Sequence, residues 1–388
     1  MTMTAPTRGE QLQDVLEIVT KHAGRADENG DFPAEALDAL RRSGLLGLLV
    51  PAEYGGGGGS LQDMLTVSGR LSRECMSVGL IYAMHCQQVA TIVRYAEGDL
   101  RDWLLPRLGR GEVYVASVTT EPGKGGHLLT SAAQLAETGQ GLRIDRAAPV
   151  VTGGAYADGF LITMQAPGAT SPGEVSLVYA DRDQLTLETL GGWDPMGMRA
   201  THSIPMKITG DIPAAQVVGC HGGFRAMSVQ VFAPLAHLGW STCWLGAAAG
   251  ALSRTVRMLR DPAERQRRDL ESELLRTRLS RVRQRLDGVN ALIQHALTRY
   301  LAEDDQVSAA PMQLLLNAVK VTASEQCYAA VDELVELAGL RHGYLRGSPL
   351  ALERALRDLR SASLNYSNDR LHLADGALTL MDPEVRLA

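Results

Sequence analysis

The chain has 388 residues, 45% of them hydrophobic and 21% charged, with a formal net charge of −6. That length allows a large core shared among two or three lobes, and the acidity argues against nucleic acid as a partner. No run of eighteen apolar residues occurs, so no transmembrane helix and no membrane partner are expected, and "MTMTAPTRGEQLQ" lacks the layout of a secretory signal.

The five cysteines (Cys75, Cys86, Cys220, Cys243 and Cys327) show neither a CxxC pair nor zinc spacing. The expectation is therefore no metal site, and reduced, mostly core-packed thiols in a cytoplasmic protein. Apart from Lys21, Lys124, Lys207 and Lys320, all 38 basic residues are arginine. The arginine fork suits phosphate and carboxylate, which leaves phosphate-bearing ligands open beside plain codon bias.

In chain order, residues 10–113 read as helical. "FPAEALDALRRSGLLGLLVP" places Ala34, Leu37 and Leu40 at helix spacing, with Gly44 and then Pro51 as punctuation. The glycines of "EYGGGGGS", Gly55 to Gly59, predict a flexible loop. Helices then follow through Met64–Tyr95 and Leu100–Leu108. Between 114 and 215 the pattern changes to short apolar runs: "YVASVTT", "GLRID", "PVVT", "GFLITMQA", "EVSLVYA", "LTLETL" and "HSIPMKITG". Gly, Pro and Asp separate them, which predicts strands of a compact β-domain. From Gly222 onward long helices return, including an arginine-studded one from about Leu252 to Leu301. Three domains result: helices over 1–113, a β-domain over 114–221, and a helical bundle over 222–388.

That order, with "LLGLLVPAEYGGGG", "SVTTEPGKGG", "GMRATHS" and "LERALRDLR" in register, resembles the acyl-CoA dehydrogenase family over nearly the whole chain. The resemblance implies a mostly α fold: an N-terminal helical domain, a middle β-barrel and a C-terminal four-helix bundle. It also implies FAD as cofactor, an acyl thioester substrate on coenzyme A or a carrier protein, an electron acceptor, and a homodimer or homotetramer. The small residues of "WLGAAAGAL" suit the close helix packing that such an assembly would use.

By the same resemblance, Thr119 and Thr120 lie against the isoalloxazine ring, and Gly125 and Gly126 lie near flavin phosphate or substrate. A strand that ends in hydroxyls and runs into a glycine-rich turn can also present N–H and O–H groups to a polar ligand edge on its own account. Thr152 would hydrogen-bond the ring from the second flavin strand, where Val150 replaces the family's usual tryptophan. Arg199 in "GMRATHS" reads as a structural partner for a carboxylate. Arg265 or Arg267 would reach the flavin pyrophosphate of a neighbouring subunit, although "AERQRRDLE" lacks the family's Phe-Gly and also reads as a solvated face.

The base is the anomaly. Oxidising a thioester at its α,β positions needs a desolvated carboxylate with a raised pKa to take the α-proton. The family supplies that glutamate from one of two places, which fall here on Tyr366 and near Ala236. Neither is acidic. Asp369, three residues beyond Tyr366 and on the same face if the segment is helical, is one candidate base, and His237 is the other. Tyr366, with an ordinary phenol pKa near ~10, is better suited to donating a hydrogen bond. Asn368 stands among the residues that normally follow the glutamate and help bind flavin.

Three readings follow. The first is an FAD-dependent oxidoreductase of acyl thioesters with a non-standard base, working in specialised biosynthesis. The second is a flavin monooxygenase or oxidase on the same fold, with oxygen as a reactant and no α-proton to remove. The third is a non-catalytic subunit that completes a flavin site in a hetero-oligomer.

Overall fold

Two capping boxes set the first lobe. Thr7 and Glu10 start α1 (Arg8–Asn29), and Ser60 and Asp63 start α3 (Leu61–Glu74); in each, the cap hydroxyl and the third-position carboxylate satisfy one another's backbone N–H groups. Between them lies α2 (Ala34–Arg42), and after them come α4 (Met76–Tyr95) and α5 (Gly98–Gly109). The structure is a computed structural model that describes residues 7–123, 127–266, 269–302 and 309–388. Among the described residues α4 is the one helix long and apolar enough to cross a membrane, and 83% of its apolar window is buried inside the protein, as befits a core helix.

The glycine run departs from expectation. Gly57 N–H donates to Gly47 O (3.0 Å), Gly58 N–H to Val50 O (2.9 Å) and Gly59 N–H to Leu48 O (2.7 Å), so the segment is bonded along residues 47–50. A Cβ on Gly56 would sit 2.2 Å from Val50 O. Glycine is required here for close backbone approach rather than for looseness.

The middle region forms two four-stranded sheets. One runs β1 (Val115–Val118), β4 (Gly159–Gln165), β5 (Val175–Asp181), β8 (Val217–Val218); the other runs β2 (Ala136–Thr138), β3 (Gly141–Thr152), β7 (Ser203–Ile212), β6 (Leu185–Thr189). β4 and β5 are buried almost throughout because their sheet packs its second face on α5 and α4, which explains why "GFLIT" and "VSLVYA" do not alternate. The two runs expected around 141–152 are one strand, β3, whose register shifts between Ala148 and Val151. Pro149 sits in that bulge, where its missing N–H costs no ladder bond.

The last lobe holds α6 (Phe224–Met227), α7 (Ala233–Arg260), α8 (Pro262–Arg265), α9 (Glu273–Ala302), α10 (Ala310–Gly339), α11 (Leu352–Arg360) and α12 (Asn368–Leu380). The single helix expected over 252–301 is broken. Asp261 turns extended before Pro262 and caps α8 through Ala263 N and Glu264 N. The small residues of α7 also have a different use. A Cβ on Gly246 would lie 2.4 Å from Gly69 O, and one on Gly250 2.5 Å from Arg73 O, so this stripe seats α3 of the same chain rather than a second copy.

Three distant segments meet at α11. Asp358 accepts a 2.6 Å hydrogen bond from Met198 N, and Arg357 holds Asp27 of α1 through Nη1 (3.1 Å) and Nη2 (2.6 Å). Arg199 donates to Asp27 O (2.8 Å) and pairs with Asp194 (2.6 Å). "GMRATHS" and "RDLR" thus tie all three lobes at one point.

Candidate functional site

At the end of β1, Thr119 and Thr120 are partly buried. Thr120 Oγ1 donates to Val150 O (3.0 Å) and accepts from Val150 N (3.3 Å), stitching the strand end to the β3 bulge. Beneath this stitch lies Arg146, wholly buried and pushed down to about 10 by that burial. Its guanidinium pairs with Glu121 and donates to Ser131 Oγ (3.2 Å), Thr120 O (3.1 Å) and Thr163 Oγ1 (3.4 Å). Glu121 also accepts from Ala132 N (3.0 Å) and Ala133 N (2.9 Å), so one ion pair closes the base of the loop that "TTEPGKGG" opens.

Sequence reasoning missed Arg146. The available signal was a charge at an inward position of β3, in line with Leu142, Ile144 and Ala148.

Further along β3, Thr152 shares a 2.9 Å hydroxyl contact with Ser203, which in turn meets Thr201 at 2.8 Å. Val150, two residues before Thr152 and 40% exposed, leaves an apolar surface bordered by Thr120 and Thr152. An apolar patch rimmed by hydroxyls and by the backbone edges of a bulge fits a flat heteroaromatic ring with a polar rim, as flavin requires. Gly125, Gly126 and Arg267 lie outside the described residues. Arg265 is exposed at the end of α8.

The two positions where a base was sought come together. His237 on α7 and Tyr366 on the turn before α12 have ring centroids 6.3 Å apart, and Trp240 lies 6.4 Å from His237 on its other neighbour position. His237 is buried, and burial together with Lys320 pushes its pKa down to about 4. Its Nδ1 is buried with no hydrogen-bond partner among the described residues.

Tyr366 has a left-handed backbone, φ 50°, and is 38% exposed, yet partial desolvation raises its hydroxyl above the ordinary phenol range. With His237 pushed down to about 4 and Tyr366 raised above the phenol range, both are neutral near pH ~7. Together they can orient hydrogen bonds, but they are poor takers of a carbon-bound proton.

The expected helical relation between Tyr366 and Asp369 is absent. Ser367 is non-helical and α12 begins at Asn368, leaving Asp369 exposed in the first helical turn, where the N-terminal dipole favours a carboxylate. Asn368 is buried with its amide engaged by protein: Oδ1 accepts from Lys320 Nζ (2.7 Å), and Nδ2 donates to Ser324 Oγ (3.1 Å) and Glu325 Oε1 (3.2 Å).

Residues 11–112 match the model of the acyl-CoA dehydrogenase N-terminal domain, and residues 223–365 match that of the C-terminal domain. The chain is 25% identical to cyclohex-1-ene-1-carbonyl-CoA dehydrogenase of Syntrophus aciditrophicus, over 95% of this chain and 89% of that one. It is 24% identical to the amino sugar nitrososynthase DnmZ of Streptomyces peucetius, over 95% and 93%. The FMN-bound structure of TdsC from Paenibacillus sp. A11-2, a dibenzothiophene monooxygenase, superposes with a TM-score of 0.86 at 19% identity over 98% of each chain, a likeness of fold. With both domain models matched in order and a β-domain between them whose exposed edge suits a flavin, the chain belongs to the acyl-CoA dehydrogenase family of flavin oxidoreductases.

Proposed function

We propose that this protein is a flavin-dependent monooxygenase or oxidase built on the acyl-CoA dehydrogenase fold, acting in specialised biosynthesis. The observation that carries this reading is the pairing of Tyr366 with His237, both neutral, where a carboxylate base would be needed for α,β-dehydrogenation. General-base catalysis contributes ~10²–10⁴-fold, so a site without a competent base is poorly served by acyl thioester oxidation. Oxygen chemistry at a reduced flavin has no such requirement. Val150 in place of a bulky ring leaves that strand edge open to another reactant. Two of the proteins it resembles, named as a nitrososynthase and a monooxygenase, lend support.

The cofactor in this reading is FAD, seated on Thr119, Thr120 and Thr152, and the active species is a homo-oligomer. A second reading, an acyl thioester dehydrogenase that uses His237 or Asp369 as its base, is favoured by the 25% identity along 95% of the chain to a CoA dehydrogenase. One experiment separates them. Flavin-loaded protein is mixed anaerobically with a panel of acyl thioesters, and then, with the flavin reduced chemically, exposed to air with candidate substrates while products are read by mass. Oxygen incorporation or oxygen-dependent product without anaerobic bleaching supports the first reading; rapid anaerobic bleaching by an acyl thioester overturns it.

A further inference from the structure

Lys320 stands in the middle of α10 with no solvent exposure. An ammonium taken out of water costs several kcal/mol unless its donors are satisfied, and a methionine would fill the same space without that cost. Here the donors are satisfied by one short segment. Nζ donates to Tyr366 O (3.0 Å) and to Asn368 Oδ1 (2.7 Å), and lies 5.8 Å from the Trp244 ring centroid. Asn368 is held in turn by Ser324 and Glu325, one helical turn along from Lys320. A buried cation therefore grips both sides of Ser367.

The gripped segment is strained. Tyr366 is a non-glycine residue with φ 50°, a conformation that disfavours a bulky side chain and persists only when its surroundings impose it. Two contacts hold the strained peptide: Asn368 N–H donates to Ser363 O (3.1 Å) across it, and Lys320 Nζ donates to Tyr366 O itself. The consequence of the strain is the direction of the Tyr366 ring, which stands 6.3 Å from His237 instead of following the path of α12.

We propose that Lys320 is a positioning residue of the site: its ammonium clamps the Tyr366 carbonyl and the Asn368 amide, and so holds the Tyr366 ring beside His237. The same charge serves the histidine. Added to the effect of burial, it disfavours a second cation at His237 and so helps keep the ring neutral. The proposal rests on the reading above only in taking Tyr366 and His237 as the reacting face, and its test needs no turnover.

The test uses oxidised, flavin-loaded protein grown with fluorinated tyrosine, in which the Tyr366 resonance is identified by its loss in Tyr366→Phe. In Lys320→Met the Tyr366 signal is expected to move toward its solvent position while the other nine of the 10 tyrosines hold theirs. Flavin affinity should stay within about twofold. In the same variant, His237, followed by carbon-13 labelling of histidine, should titrate at higher pH than in the parent. Lys320→Arg, which keeps the charge, should hold the histidine titration near its parent value.

If Lys320→Met does not fold, Asn368→Ala removes one jaw of the clamp without unburying a charge, and the same movement of the Tyr366 signal is expected. An unmoved Tyr366 resonance in either folded variant, or a His237 titration indifferent to loss of the lysine charge, overturns the proposal. Failure of the oxygen experiment would leave these resonances readable, so the two failures are distinct.

Discussion

Asp358 is buried in α11, and burial, with Asp27 adding to it, pushes its carboxyl up to about 6 despite the Met198 N–H and the nearby Arg354 and Arg357. Because the folded state binds this proton more tightly than the unfolded chain, whose aspartate titrates near ~3.9, the group's stabilising contribution is complete below that value. It is lost as pH rises through about 6. Asp358→Asn keeps an acceptor for Met198 N and removes the charge. Relative to this variant, the parent should lose about 2–3 kcal/mol of unfolding free energy between pH 4 and 7, read from denaturant melts across that range. A pH-independent difference would sink the assignment.

At the same scale, Tyr366→Glu puts a carboxylate where the family resemblance implies the base. A folded, flavin-loaded variant should gain anaerobic bleaching by straight-chain acyl-CoA of about 10²-fold or more over the parent. No gain would mean that the pocket has been rebuilt beyond its base. Motif order puts Thr119 and Thr120 just past the end of β1 and Thr152 at the end of β3, and their role toward flavin is proposed. The sequence was not legible at Lys320 and Arg146, whose partners Asn368 and Glu121 lie 48 and 25 residues away and leave no local pattern. The Tyr366–Asp369 relation was misread because "SLNYSN" has no apolar period to show that the helix has not yet begun.

Among the elements, helices and strands were legible wherever apolar spacing was regular, and the errors fall at breaks. Asp261–Pro262 split a helix that looked continuous, and Pro149 marked a bulge inside one strand rather than a gap between two. The glycine-rich loop was misjudged because composition reports conformational freedom but not what lies against the backbone. Gly197 makes this quantitative. A Cβ there would sit 2.1 Å from Arg357 O, a backbone atom that cannot swing aside, whereas Gly192 in the same loop has nothing within 4 Å. Gly197→Ala should cost about 3 kcal/mol and Gly192→Ala under about 0.5 kcal/mol, measured by equilibrium unfolding. Equal costs would show that the loop can retreat from α11.

For the whole molecule, the helix–sheet–helix order was plain from the change in hydrophobic period, but the purpose of the small-residue stripe on α7 was not. It is occupied by α3. The surface left for assembly includes α12 and the chain end, where Leu373 is 79% and Leu380 87% exposed. Light scattering on flavin-loaded protein should give a dimer or tetramer, and Leu373→Lys with Leu380→Lys should shift it toward monomer. A stable flavin-bound monomer in the parent would count against this.

The Asp27–Arg357 pair joins residues 330 positions apart. At ~5–20 residues per second, a ribosome needs roughly 17–66 s to travel that distance. For that interval the C-terminal end of α1 exists without the arginine that fixes it, and "GMRATHS" exists without the α11 backbone against which Gly197 is fitted. The first two lobes are therefore made unlocked, and they close onto a part of the chain that did not exist when they were made.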